Sequence, residues 1–575
     1  MSVINQSDGA KRCLNANATL EVDEACFSIL NEFNRSVTFY SRFSECYRCD
    51  DVPQATLLPG VNTTLLISTK YPLYIFYKDV YNNCHQTFNF KEHGYYGWNI
   101  SEENPCPEIY TIREPINSYL PIFAAFMVFV LLTMSFTIGR AIVRVLKGKL
   151  SPDNIHNDME EILQEEEASN SNLVRTNRSS TRIRSIDTFR GIAVLLMIFA
   201  NNGGGKYTFF NHSAWNGLTV ADLVLPWFAW IMGLSITISK RSELRVTNSR
   251  GKIILRCLLR ALILVLLGLM INSQSHFINT RSLKDLRFPG VLQLLAVSYF
   301  VCATIETLFM KTYSQDDVLQ FGRFTILRDI LNNWPQWLII LAIMTTHTLI
   351  TFLLPVPNCP TGYLGPGGYN EFGKYYNCTG GAAGYIDRLV FGSHMYSKTN
   401  NSVYGTILPH DPEGIMNTMS MILVVYMGVH AGKILLLYYQ CNAKVVRWLL
   451  WSCITGIIAG SLCQFEKESG LIPVSKKMMS LSFIMTASCF AFLLYAILHI
   501  LVDNKQYWSG APFIYAGLNP ITLYVGHYLT MGLFPWAWKL SHSTHWSLLA
   551  MNLWTTTLWG VIAYWLYLKN IIISV

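Results

Sequence analysis

From Tyr119 onward the chain alternates apolar runs with short polar breaks. Each run is about 20 residues, enough for a helix to cross a hydrocarbon layer of about 30 Å. About eleven such runs stand near 118–139, 187–203, 218–239, 253–272, 289–310, 335–354, 413–432, 445–464, 478–501, 511–534 and 549–568. Residues 1–115 follow another pattern. They are polar, aromatic and turn-rich, and alternating stretches such as Thr63–Ser68 and Tyr74–Tyr77 predict short strands. The predicted fold class is a polytopic α-helical membrane protein of about eleven transmembrane helices with a small β-rich, disulfide-bonded N-terminal lumenal domain, a β-sandwich. The predicted divisions are a lumenal domain over 1–115, a first transmembrane helix over 118–139, and a cytosolic linker over 140–186. A ten-helix core over 187–575 follows, with a long lumenal loop at 355–411.

Composition agrees with that division. Hydrophobic residues make up 51% and charged residues only 14%, against about 25% charged in soluble proteins. A chain of several soluble domains is excluded. The net charge of +8 is not a nucleic-acid footprint, because the basic residues lie where the positive-inside rule puts them. Arg140, Arg144, Lys147 and Lys149 follow the first run, and the 240–252 loop carries Lys240, Arg241, Arg245, Arg250 and Lys252. Both segments are therefore cytosolic. The N-terminus is lumenal, and an odd number of spans leaves the C-terminus in the cytosol.

Cys13, Cys26, Cys46, Cys49, Cys84 and Cys106 lie in the first domain. An even count in a small exported module predicts a disulfide framework, with the pairing left open among 15 connectivities. Zinc at Cys46-x-x-Cys49 is the rival. Cys359 and Cys378 form a further candidate pair in the 355–411 loop. Sequons at Asn17, Asn34, Asn62, Asn99, Asn377 and Asn400 fall on the lumenal side. Asn177 falls on the cytosolic side, and Asn211 lies too close to the membrane; both are expected to stay unmodified. Met1–Leu20 has no apolar signal core. Export is therefore expected to depend on a leader encoded upstream, or on the first span acting as a reverse anchor. In the linker, the acidic run 160–167 stands beside basic Arg175–Arg184, and Asp158-Met-Glu-Glu-Ile162-Leu163 has the form of an acidic dileucine sorting signal.

The chain has no Walker A run, no dinucleotide-binding glycine fingerprint after a strand and no HExxH motif. Candidate chemistry must be sought among polar groups in or beside the spans, where an ionisable side chain costs about 2.5–3.5 kcal/mol to insert. The densest set is 184–222. Asp187 and Arg190, three residues apart, share one helical face at the cytosolic end. Asn201 and His212 bracket the loop Asn202-Gly203-Gly204-Gly205-Lys206 at the lumenal end, and Asp222 lies one turn into the third span. A structural reading competes: an ion pair, a tight turn and an exposed loop histidine. His347, His430, His499, His527 and Glu306 are further polar groups within spans, with His527 the foremost among them.

The block from Arg184-Ser-Ile-Asp187-Thr-Phe-Arg190-Gly through Asn201-Asn202-Gly203-Gly204-Gly205-Lys206-Tyr207 to His212-Ser-Ala-Trp215-Asn216-Gly217 and Asp222 resembles the transmembrane heparan-α-glucosaminide N-acetyltransferase family. Arg287-Phe-Pro-Gly-Val-Leu-Gln293, Gly470-Leu-Ile-Pro-Val-Ser-Lys476 and Leu518-Asn519-Pro with Tyr524-Val-Gly-His527 extend the resemblance over nearly the whole chain. Leu294 and Asn202 depart from the family pattern, which leaves the acceptor open. The resemblance implies a lysosomal membrane enzyme. It would move acetyl from cytosolic acetyl-CoA, as co-substrate and without a metal, to the terminal glucosamine amine of heparan sulfate in the lumen. It places the active-site histidine on His212 and its companion on Asn201. His212 would act either as a general base or through an acetyl intermediate.

On that reading Asn201 would polarise the thioester carbonyl or orient His212, and Gly203 and Gly204 would let backbone N–H groups approach the acyl group. Asp222 would hold the imidazole or the sugar amine. Asp187 and Arg190 are assigned to substrate, and Arg190, Arg256 and Arg260 to the phosphates of CoA. Arg287 would bind a sulfated sugar or brace the lumenal mouth. The expected partners are a heparan sulfate oligosaccharide, acetyl-CoA, the lipid bilayer and a second copy of the chain, and no nucleic acid. The alternatives are a membrane acyltransferase with another sugar or lipid acceptor and, further off, a multi-span transporter.

Overall fold

The computed structural model describes residues 13, 20–78, 83–150, 182–246, 249–280, 286–310, 328–395 and 403–573. The sequons at Asn17, Asn177 and Asn400, the acidic run and the dileucine-like signal lie outside these residues.

The N-terminal strands are β1 (Glu24–Asn31), β2 (Val37–Phe43), β3 (Val52–Leu57), β4 (Asn62–Ser68), β5 (Leu73–Lys78), β6 (Asn83–Phe88), β7 (Tyr95–Ile100) and β8 (Tyr110–Arg113). They form two four-stranded sheets, ordered β4-β1-β7-β8 and β3-β2-β5-β6. All pairings are antiparallel except β1 with β7. Strand β2 shows why these segments become strands: every second residue of Val37–Phe43 is buried, so one face is core and the other is not. Phe27, Phe39, Tyr77 and Trp98 interlock between the sheets, with ring centroids about 6 Å apart. Disulfides join Cys13–Cys26, Cys46–Cys49 and Cys84–Cys106. Cys46 and Cys49 are thus bonded to each other and do not form the zinc site considered above. Cys359–Cys378 closes the later loop.

All eleven apolar runs lie on helices. The helices include α1 (Leu120–Leu150), α2 (Arg184–Asn201), α3 (Val220–Val246), α4 (Arg250–Thr280), α5 (Val291–Phe309), α6 (Trp334–Leu353), α7 (Gly381–Phe391, between the sixth and seventh runs), α8 (Ile415–Leu437), α9 (Cys441–Cys463), α10 (Leu481–Leu498), α11 (Phe513–Leu518), α12 (Pro520–Thr530) and α13 (His545–Leu568). Seven among the described helices are long and apolar enough to cross a membrane: α3, α4, α5, α6, α8, α9 and α10 with its extension to Asn504. The tenth run is broken at Asn519-Pro520 into α11 and α12 because proline cannot continue the hydrogen-bond ladder. Asn519 compensates for the break by bonding Ile571 O at 2.9 Å and Ile573 N at 2.7 Å. Helix α1 belongs to a separate compact unit, 117–183.

Helices α3 and α8 are the most deeply buried spans. Their backbones touch. A Cβ on Gly233 would stand 1.9 Å from Val425 O, and one on Gly428 would stand 1.8 Å from Trp230 O. Gly191 and Gly517 bring α2 against α11 in the same way. The core of the β-sandwich is continuous with Trp215, Tyr404 and Met478 of the interhelical loops and with Met416 at the start of α8.

Candidate active site

Helix α2 ends at Asn201, and Asn202 Nδ2 caps it by donating to Ile198 O at 2.7 Å. Gly203, Gly204 and Gly205 then take positive φ, which glycine adopts without a Cβ clash, and Lys206 follows them in the same region. The chain turns through 207–211 to His212. Trp215 locks the next stretch: its Nε1 donates to Leu364 O at 2.9 Å and its carbonyl accepts from Ser475 Oγ at 2.8 Å. Gly217 N donates to Val474 O at 2.7 Å.

Helix α3 starts with Thr219-Val-Ala-Asp222, a serine/threonine-x-x-acid pattern of helix starts. Asp222 accepts from Thr219 N at 3.2 Å and Thr219 Oγ1 at 2.9 Å. It also accepts from Ser213 N at 3.3 Å and His212 Nδ1 at 2.8 Å. The carboxylate is therefore buried but well satisfied, and it sets the Nδ1–H tautomer of His212. Nε2 carries the lone pair. Lys476 Nζ stands 3.0 Å from Nδ1 and 3.1 Å from Nε2, and 3.9 Å from Asp222 Oδ1. The His212 side chain is 46% exposed, that of Lys476 11% and that of Asp222 0%, so the imidazole is the member that a ligand can reach.

Burial, and then the Lys476 ammonium, hold His212 below the usual imidazole range, against the opposing pull of Asp222. Burial also lowers Lys476, against Asp222 and Glu413.

Asn201 does not bond to His212. Its Nδ2 is 3.1 Å from His527 Nε2 and donates to Tyr528 Oη at 3.3 Å. His527 Nδ1 faces Leu523 O at 3.3 Å, which leaves Nε2 as acceptor for the amide. His527 thus joins Asn201, and Tyr528, absent from the sequence expectations, joins them both.

Arg287 binds Asp411 at 2.9 and 2.7 Å and Glu413 at 2.7 Å. Burial, and then Asp411, push Glu413 up to about 7. Burial would also raise Asp411, but the Arg287 guanidinium outweighs it and holds that carboxyl low.

Asp187 and Arg190 pair at 3.1 Å, and Arg190 also donates to Ser235 Oγ at 2.8 Å and Gly517 O at 3.3 Å. Arg190 thereby ties α2 to α3 and α11. Arg256 is exposed and Arg260 half-buried, one turn apart on α4, with Arg260 over the Tyr299 ring.

Asn34, Asn62 and Asn377 are exposed, and Asn99 is half-buried. The other polar groups within spans have partners: His347 with Ser420 at 3.1 Å, His499 with Asp503 at 3.1 Å, and Glu306 with Lys433 at 3.0 Å. His430 packs on Trp337 and Trp451. A cavity of about 670 Å³ borders Ser213, Thr219, Glu45 and Lys467. His212 is not among its lining residues, so the dyad and not this cavity marks the candidate reaction centre.

Lys476 escaped sequence reasoning as a site residue although it ends one of the recognised blocks. Asp411 and Glu413 had no local signal beyond their place before an apolar run.

Residues 182–357 match the sequence pattern of the family described as "Heparan-alpha-glucosaminide N-acetyltransferase, catalytic". The chain is 38% identical to heparan-alpha-glucosaminide N-acetyltransferase of Mus musculus, over 96% of this chain and 89% of the relative. It is 39% identical to the Homo sapiens protein of the same name, over 96% and 88% respectively.

Proposed function

The chain belongs to the heparan-α-glucosaminide N-acetyltransferase family, and from that membership we propose that it carries acetyl across a lysosomal membrane. The donor is cytosolic acetyl-CoA and the acceptor is the terminal glucosamine amine of heparan sulfate. The observation that carries the catalytic part of this reading is the His212–Asp222 bond at 2.8 Å, which aims Nε2 of a half-exposed imidazole away from a buried carboxylate.

The acceptor arrives as an ammonium. His212 Nε2 takes one of its protons, and the nitrogen lone pair adds to the thioester carbonyl. The C–S bond then breaks, the second proton of the attacking nitrogen passes to the departing sulfur, and CoA leaves as thiol. Asp222 holds the ring and stabilises the imidazolium that forms. Asn201 gives both its amide hydrogens to His527 and Tyr528 and so holds the end of α2 in place, and Gly203 and Gly204 let the acyl oxygen approach the backbone. Arg256 and Arg260, on one face of α4, suit the phosphates of CoA. Arg190 holds helices together at the cytosolic end. The eleven-span topology, with the N-terminus lumenal and the C-terminus cytosolic, is part of the same proposal.

The test uses the full chain in sealed vesicles, with acetyl-CoA outside and glucosamine inside, and product measured by mass spectrometry. Acetylglucosamine forms inside. His212→Ala lowers the rate by about 10²–10⁴-fold, the usual share of a general base. A His212→Ala rate near wild type would overturn the assignment.

A further inference from the structure

We infer that Lys476 is the positioning residue that keeps His212 neutral in an acidic lumen, so that the imidazole enters each turnover as a base. The inference rests on the reading of His212 as base and adds to it the group that sets when the base works.

The dyad alone is ill suited to acid. An ordinary imidazole has a pKa near 6.5, and a carboxylate 2.8 Å from Nδ1 favours the protonated ring further. In an acidic compartment such a histidine holds its proton and accepts none from an ammonium. Burial of the ring works against that proton first, and Lys476 adds a charge on the same side. Its Nζ lies 3.0 and 3.1 Å from the two ring nitrogens and 3.9 Å from Asp222. One lysine charge already answers the one carboxylate. Protonating His212 would set two cations against a single Asp222. Lys477 adds a like charge from the same loop, while Glu413 faces Lys476 from the segment before α8. These are the charged groups around the pair.

The lysine is delivered by a fixed backbone. Ser475 N donates to Ser480 Oγ at 3.1 Å and Ser475 Oγ to Trp215 O at 2.8 Å. On the other side, Lys477 O accepts from His410 Nε2 and from Asn417 Nδ2, both at 2.9 Å. The carbonyl of Trp215 and the loop that carries His212 are therefore tied to the segment that carries Lys476. The lowered position of His212 agrees with this geometry.

The test compares wild type, Lys476→Met, Lys476→Arg and His212→Ala in full-length protein. One readout is the acid limb of kcat/KM. The other, independent of turnover, is the pH-dependent carbethoxylation of His212 by diethyl pyrocarbonate, which reacts with neutral imidazole, followed by peptide mass spectrometry. Lys476→Met should move both midpoints up by about one pH unit, the size of shift a close charge produces, and Lys476→Arg should restore them. Loss of rate at every pH with unmoved midpoints would mean a merely structural lysine and overturn the inference. If Lys476→Met does not fold, Lys476→Gln takes its place in the same comparison. A near wild-type rate for His212→Ala would instead defeat the base reading, while the carbethoxylation midpoints would still report whether Lys476 governs the ring.

Discussion

Asp222 does two jobs with one side chain. Its Oδ2 takes the N–H and hydroxyl of Thr219 at the start of α3, and its Oδ1 holds His212. Asp222→Asn keeps the size but offers an amide N–H to the imidazole and so favours the opposite tautomer. The expected loss in kcat is about 10²–10⁴-fold, as for triads deprived of their carboxylate, read by acetylglucosamine formation at saturating substrates. The sign of the pH effect also follows. Asp222 raises the proton affinity of His212 and Lys476 lowers it. Activity is lost as pH falls through the His212 midpoint. Residual activity in Asp222→Asn should therefore reach to lower pH, whereas Lys476→Met should lose it at higher pH. Opposite shifts from two substitutions around one ring would be hard to obtain from general loosening of the loop.

Helices α3 and α8 form the centre on which the site is mounted, since Asp222 opens α3 and Glu413 precedes α8. Their approach depends on Gly233 and Gly428, each with a carbonyl of the other helix where a side chain would begin. Gly233→Leu should force the helices apart and lower the thermal midpoint markedly, because an overpacked core contact costs about 1–3 kcal/mol or more. Gly560 on α13 has open space around it. Gly560→Ala should hold or raise the midpoint, because alanine is the better helix former by up to about 1 kcal/mol. Differential scanning fluorimetry on both variants separates a packing requirement from a general intolerance of change in helices. The apolar periodicity marked both helices, yet the crossing point was not legible. A glycine inside a span reads the same whether it faces lipid or another backbone.

The β-sandwich and the helical core meet through polar joints as well as through shared core. Lys467 pairs with Glu45, and Tyr404 Oη donates to Glu45 O at 2.9 Å. His545 of α13 faces Glu92 at 3.4 Å and Asp23 at 3.8 Å, while its Nδ1 meets Gly205 O at 2.7 Å and its ring stacks on Tyr207. The N-terminal sandwich thus reaches the glycine loop through one imidazole. Glu92→Ala should lower kcat several-fold, because effects on geometry far from the chemistry cost up to about 10²-fold when they displace a reacting group. The sandwich itself should keep its fold, as circular dichroism and intact disulfides would report. An unchanged kcat would mean that the glycine loop holds its shape without the N-terminal sandwich.

Local features were legible from the amino-acid order because their causes are local. Apolar runs become helices through transfer energy and helical repeat. The alternation in β2 becomes a strand with one buried face. Asp187 and Arg190 pair because three residues are one helical turn. Thr219 and Asp222 meet at the start of α3 for the same reason. The long-range pairings had no such signature. Lys476 meets His212 across 264 residues and Asn201 meets His527 across 326. The choice among disulfide connectivities, the engagement of Arg287 by Asp411 and Glu413, and the backbone contact of α3 with α8 are of this kind. Each depends on which faces the packed helices turn toward one another, and a one-dimensional pattern of polar and apolar positions leaves that orientation open.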